Sequence, residues 1–195
     1  MILLLIISTN VGCSHTPGDA ALRGGHPDSA ADLYMKGAEL GDSEAALKLG
    51  LLLNDGSVSA ERYGQASRWF QRACELGNLP GCHNLAVAYE YGNDGAAKDI
   101  NKAYEYYLKA AERGYMQSQY NLSSLYSNKY IEPQDDVEGL KWMLLSQNAA
   151  KACKSPLCEW ILKDPPGHKE KLKARMTVTE IKKAEDLAAG WAAQK

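Results

Sequence analysis

Five cysteines and four histidines are the side chains of this 195-residue chain best suited to redox, metal or disulfide chemistry. Cys74 and Cys82 flank a Gly and a Pro in RACELGNLPGCHNLA, residues 72–86. Cys153 and Cys158 close the shorter stretch CKSPLC, and Cys13 stands apart near the N-terminus. A thioredoxin-type redox pair needs Cys-x-x-Cys, which is absent. A zinc site would draw on Cys74, Cys82, His83 and a distant fourth ligand, a spacing that matches no common zinc motif. If Cys74 ends one helix and Cys82 begins the next, their turns face each other across the loop, within reach of a disulfide. Free buried thiols are the remaining reading.

Catalytic groupings are missing. There is no Ser-x-x-Lys, no Lys-Thr-Gly, no Gly-x-Ser-x-Gly and no His-Glu-x-x-His. No Gly-rich loop with a Lys is placed to cradle phosphate. His15 and His26 lie in the small-residue N-terminal stretch, and His83 and His168 are far apart in sequence. The chain reads as a non-enzyme with no cofactor and no metal. A net charge of −2 supplies no global steering toward nucleic acid.

The elements that would position these residues repeat along the chain. Leu33, Trp69, Tyr106 and Trp142 fall 36, 37 and 36 residues apart, and Gly37, Ala73, Ala110 and Ser146 keep the same step. Gly41, Gly77 and Gly114 follow the first three segments, where a left-handed C-cap would end a helix. A second segment follows each Gly, with Leu49, Leu85 and Leu122 aligned, Gly50, Ala86 and Ser123 as small positions, and Leu53, Tyr89 and Tyr126 completing the face. Spacings of three and four are helical, and no alternating strand pattern competes. Each unit is two antiparallel helices joined by a turn. Thr177 and Glu180 form a capping-box pattern at the start of a last helix, about 177–193. In the third unit the helix continues as SQNAAKAC where a Gly stop is expected.

This pattern resembles the Sel-like repeat family, relatives of the tetratricopeptide solenoids, over residues 28–195. The resemblance implies an all-α fold, a right-handed α-solenoid of antiparallel helix pairs. The stretch ACELGNLPGC is similar to a junction at which a cysteine-rich branch of the family places a disulfide. That implies Cys74–Cys82 and, by local pairing, Cys153–Cys158. Some members of that branch have been labelled β-lactamases, the reading the missing motifs least favour. The first helix of each pair lines the concave face in such solenoids. Partner-binding positions are then Leu47, Leu51 and Asn54; His83, Val87 and Glu90; and Tyr120, Ser124 and Ser127. The alternative for these residues is sideways packing against neighbouring helices. Asn84 and Asn121 recur at one position and read as structural.

The N-terminus resembles a bacterial lipoprotein signal. Ile2 to Ile7 is an apolar run, and Val11-Gly12 precede Cys13. The resemblance implies a signal peptide over 1–12, lipidation of Cys13 and, from Ser14, an outer-membrane anchor facing the periplasm. Residues 13–27, with three Gly and two Pro, read as a flexible tether. Small envelope members of the family include immunity proteins that neutralise toxins delivered by type VI secretion, notably lipid-degrading ones such as phospholipases. The expected role is therefore binding of one secreted toxin, with an envelope scaffold or adaptor as the alternative. A basic run, Lys169, Lys171, Lys173 and Arg175, follows Pro165-Pro166-Gly167 and reads as a solvated helix face or a contact for an acidic partner or lipid headgroups.

Overall fold

The computed structural model describes residues 16–59 and 65–192. The expected signal segment, Cys13 and His15 lie outside the described residues. Eleven helices are described: α1 Pro17–Arg23, α2 Pro27–Glu39, α3 Ser43–Asn54, α4 Ala66–Glu75, α5 Leu79–Tyr91, α6 Ile100–Ala111, α7 Met116–Ser127, α8 Asp136–Ala150, α9 Pro156–Lys163, α10 His168–Lys173 and α11 Val178–Ala192. Helices α1 to α9 pack chiefly on their neighbours in the chain, as expected of an α-solenoid, whereas α10 and α11 fold back onto α8. Helices α3, α5 and α7, each of which opens a repeat when the repeat is counted from residues 43, 79 and 116, form a front layer, and α2, α4, α6 and α8 form a back layer.

The turns follow from local chemistry. Gly41, Gly77 and Gly114 adopt φ of 93°, 86° and 89°. The amides of Asp42, Asn78 and Tyr115 then reach back to the carbonyls of Gly37, Ala73 and Ala110, closing each helix end. The next helix starts on a side-chain cap: Asp42 accepts from the amides of Glu44 and Ala45, and Asn78 from Gly81. Leu49, Leu85 and Leu122 are buried between the layers. Gly50 packs directly under Phe70, where a Cβ would come within 2.5 Å of the ring.

The tether expectation fails for residues 16–27. Pro17 pre-sets the first helical turn, and the amide of Thr16 donates to Asp19 Oδ2 at 2.9 Å. Asp19 also accepts from the Tyr34 hydroxyl at 2.6 Å and from Lys48 Nζ at 2.9 and 3.0 Å. These bonds tie α1 to α2 and α3. They hold the Asp19 carboxyl far below the usual range, Tyr34 contributing most and Lys48 next. Burial and the Asp19 charge push Tyr34 up to about 12. Gly18, counted toward flexibility in sequence, is the position where a Cβ would come within 2.4 Å of the Tyr34 ring.

At the other end the missing Gly stop does not break the register. Cys158 lies 36 residues after Leu122 and is buried as Leu122 is. Thus α9 occupies the place of a fourth first helix. Pro165-Pro166 interrupt it, Asp164 turns the chain with φ 44°, and α10 completes the run. Leu172 of α10 covers Gly139 of α8. Helix α11 lies along α8 through Ala184 and Ala188, and its capping box is formed: the Thr177 amide and Glu180 Oε2 are 2.8 Å apart.

Candidate functional site

The front layer aligns side chains across units. Leu51, Val87 and Ser124 occupy one repeat position. Leu51 is 43 % exposed, and Val87 and Ser124 are half-buried. Asn54 is exposed, and His83 and Glu90 are half-buried. These six reach the surface of the layer. Leu47, at 7 % exposure, does not; it packs among the core residues of the first two units.

His83 and Glu90 are built into the layer by their neighbours. His83 of α5 stands between the rings of Tyr107 and Tyr115, with centroids at 5.5 and 5.3 Å, and its Nδ1 lies 3.0 Å from Ser118 Oγ of α7. Burial without a countercharge pulls this imidazole down to about 4, so it is neutral at pH 7. Tyr107 of α6 donates to Glu90 Oε2 at 2.7 Å and accepts from Asn121 Nδ2 at 2.9 Å. Desolvation and then the Glu90 charge raise the Tyr107 phenol strongly. One buried hydroxyl thus joins α5, α6 and α7 and orients the Glu90 carboxylate. The structural reading of Asn121 is correct.

Tyr120 and Ser127 are corrected. Tyr120, read from sequence as an interface anchor, is 3 % exposed. Its hydroxyl donates to Asp164 Oδ1 at 2.8 Å, and its ring contacts Trp160 and His168. Ser127, 4 % exposed, has its Oγ 2.6 Å from His168 Nδ1. The reason is α9 and α10: the interrupted fourth helix covers the flank of α7 that three units alone would leave open. Asp164 Oδ2 takes the Lys169 amide at 2.8 Å. The basic run is not free throughout either. Lys169 Nζ donates to Gln147 at 3.1 Å, and Arg175 pairs with Asp136 and donates to the carbonyls of Ser127 and Tyr126.

Sequence reading missed Trp160. It follows Ser124 by 36 residues, the same step that relates Leu51, Val87 and Ser124, and it is 43 % exposed. The step itself was the signal; the shortness of the SPLCEW segment hid it. Tyr91 and Tyr130, both well exposed, were also passed over; Tyr91 ends α5 and Tyr130 follows α7.

Both cysteine pairs are disulfides. Cys74–Cys82 bridges the α4–α5 turn with its Cα atoms 4.5 Å apart, and Cys153–Cys158 bridges the α8–α9 turn with 6.0 Å. The first pair is buried; the second has Cys153 half-buried and Ser155 Oγ beside both sulfurs. Among the described residues no group of three or more His, Cys, Asp or Glu is placed to hold a metal, and no helix is long and apolar enough to cross a membrane.

Comparison with known proteins agrees with this geometry. The family described as Sel1 repeat matches residues 43–78, 79–115 and 117–146. Cytochrome c oxidase assembly factor 7A of Xenopus laevis is 30 % identical over 112 residues, 53 % of this chain and 48 % of the relative. The chain thus spans about half the length of that curated relative. Among solved structures, a protective antigen of uropathogenic Escherichia coli with an SLR fold superposes at a TM-score of 0.68, with 23 % identity over 89 % of this chain and 39 % of that one. A Sel1 repeat protein from Oxalobacter formigenes gives 0.61, with 25 % identity, 84 % of this chain and 64 % of that one.

Proposed function

From the premise that this chain belongs to the Sel1 repeat family, we propose that it is a protein-binding solenoid that docks one partner on its front layer. The observation that carries this is the row Leu51, Val87, Ser124 and Trp160. It presents two half-exposed large apolar side chains, one at each end of a continuous face, over a layer held rigid by the Tyr107 hydrogen bonds. An aromatic anchor such as Trp160, ringed by apolar side chains on a preorganised face, is the usual energetic centre of a protein interface. Charged substitution at the row tests it: Leu51→Asp and Val87→Asp in the full chain should abolish capture of the partner that the unaltered chain retains. Equal retention would refute the face.

The role we put first is that of an immunity protein in the bacterial envelope. There it would be anchored through lipid on Cys13 and would block a secreted toxin such as a phospholipase by occlusion. Blocking requires affinity and no turnover, which suits a rigid face and the missing catalytic motifs. The second role is an assembly adaptor, favoured by the likeness of residues across half the chain to a respiratory-complex assembly factor. Capture from the native cell separates them. A single equimolar hydrolase, inhibited on binding, supports immunity; a multisubunit complex caught during assembly supports the adaptor. Incorporation of labelled palmitate that is lost in Cys13→Ser tests the anchor.

A further inference from the structure

Between α4 and α6 lies a polar hollow of about 380 Å³ that none of the nine front-layer positions lines. Arg68 of α4, Lys98 of the α5–α6 loop and Lys102 of α6 line it. None of the three makes an ion pair among the described residues, whereas Lys48, Lys141, Lys163, Arg175 and Lys182 each face a carboxylate. Aromatic rings hold two of them without neutralising them. The Arg68 guanidinium stands 5.5 Å from the Trp69 ring, and Lys102 Nζ stands 5.1 Å from Tyr89, which is stacked on Tyr106. The one carboxylate in the lining, Asp99, accepts the amide of Lys102 at 3.1 Å and is turned into the start of α6 as its cap. Three cations therefore face one engaged carboxylate, beside the positive end of α6.

The loop that leads into the lining at Gly95 is preformed. Gly92, Asp94 and Gly95 all take left-handed backbone, with φ of 73°, 56° and 89°. The Asp94 carbonyl accepts the Ser67 amide at 2.9 Å, which clips the loop to α4. For a residue other than Gly, that conformation is unfavourable and is kept here by the clip.

We propose that this hollow receives the carboxylates of an acidic segment of a partner protein. An aspartate- or glutamate-rich stretch matches both the charge and the polar lining, and the volume admits a few side chains rather than a folded element. The contact is independent of the front layer, so either surface can fail without the other.

The test uses the full chain and a labelled hexaglutamate peptide, followed by fluorescence anisotropy at low salt. Binding should weaken roughly tenfold or more in Arg68→Glu/Lys102→Glu and fall steeply as salt is raised. It should survive Arg68→Lys/Lys102→Arg and be unchanged in Val87→Asp. Hexalysine should not bind. Equal binding by the charge-reversed variant, or no binding by the unaltered chain, overturns the proposal. Displacement of the peptide by an equal concentration of inorganic phosphate also overturns it, in favour of a small-anion site.

Discussion

Gln119 Nε2 donates to the carbonyl of Ala111 at 3.1 Å across the α6–α7 turn, at the positions that Cys82 and Cys74 hold 37 residues earlier. Each junction closes the same gap between the last turn of one helix and the first turn of the next. One does it with a covalent bond, the next with a buried amide.

The equivalence gives a first expectation. Ala111→Cys with Gln119→Cys should form a third disulfide, read as two fewer titratable thiols after oxidation. Removal of the native bridge with Cys74→Ala/Cys82→Ala should lower unfolding free energy by ~2–3 kcal/mol on the loop-entropy scale. Denaturant titration of both forms measures it, and a reductant should bring the unaltered chain toward the variant.

Gly50→Ala should be strongly unfavourable although alanine is the better helix former. The added Cβ would meet the Phe70 ring at 2.5 Å, and both sides of the contact are main-core structure. A loss of ~1–3 kcal/mol is expected from overpacking. Pairing it with Phe70→Leu should recover part of that loss in a double-mutant cycle.

His83 makes stability depend on acid. Its folded value, about 4, lies below its ordinary 6.5, so the unfolded chain binds the proton more readily. The contribution is complete above pH 6.5 and is lost as pH falls toward 4, amounting to ~3 kcal/mol at most. His168, also pulled down by burial, adds to the same window. Urea unfolding at pH 7 and pH 4.5 should show the slope, and His83→Phe should flatten part of it.

Tyr120 and Trp160 should separate stability from binding. Tyr120→Phe removes a partner of the buried Asp164 carboxylate. It should cost ~1–3 kcal/mol of stability and leave partner affinity unchanged. Trp160→Ala removes a ring that packs on Tyr120, so it should lower the melting temperature modestly while weakening the partner roughly tenfold or more. The reverse pattern would return Tyr120 to the interface.

The repeat step, the helix ends and the turn chemistry were all legible in the sequence. They are local: a Gly three residues past a cysteine, a Thr-x-x-Glu capping box, and a Leu every 36 or 37 residues act through backbone geometry and one-dimensional spacing. That same locality made a disulfide across the α4–α5 turn a reading the residues allowed. What the chain order could not show was which flank of each helix stays open. Tyr120 and Val87 look equally available along the sequence, yet α9 and α10, returning some forty residues later, bury Tyr120 and leave Val87 partly exposed. Likewise Gly18 and Asp19 read as tether until Tyr34 and Lys48 are brought onto them. The repeat helices α2 to α8 were written in the sequence because their hydrogen bonds and caps span only a few residues. Their exposed faces were decided by the tertiary structure, because burial depends on segments distant in sequence that pack to remove apolar and polar groups from water.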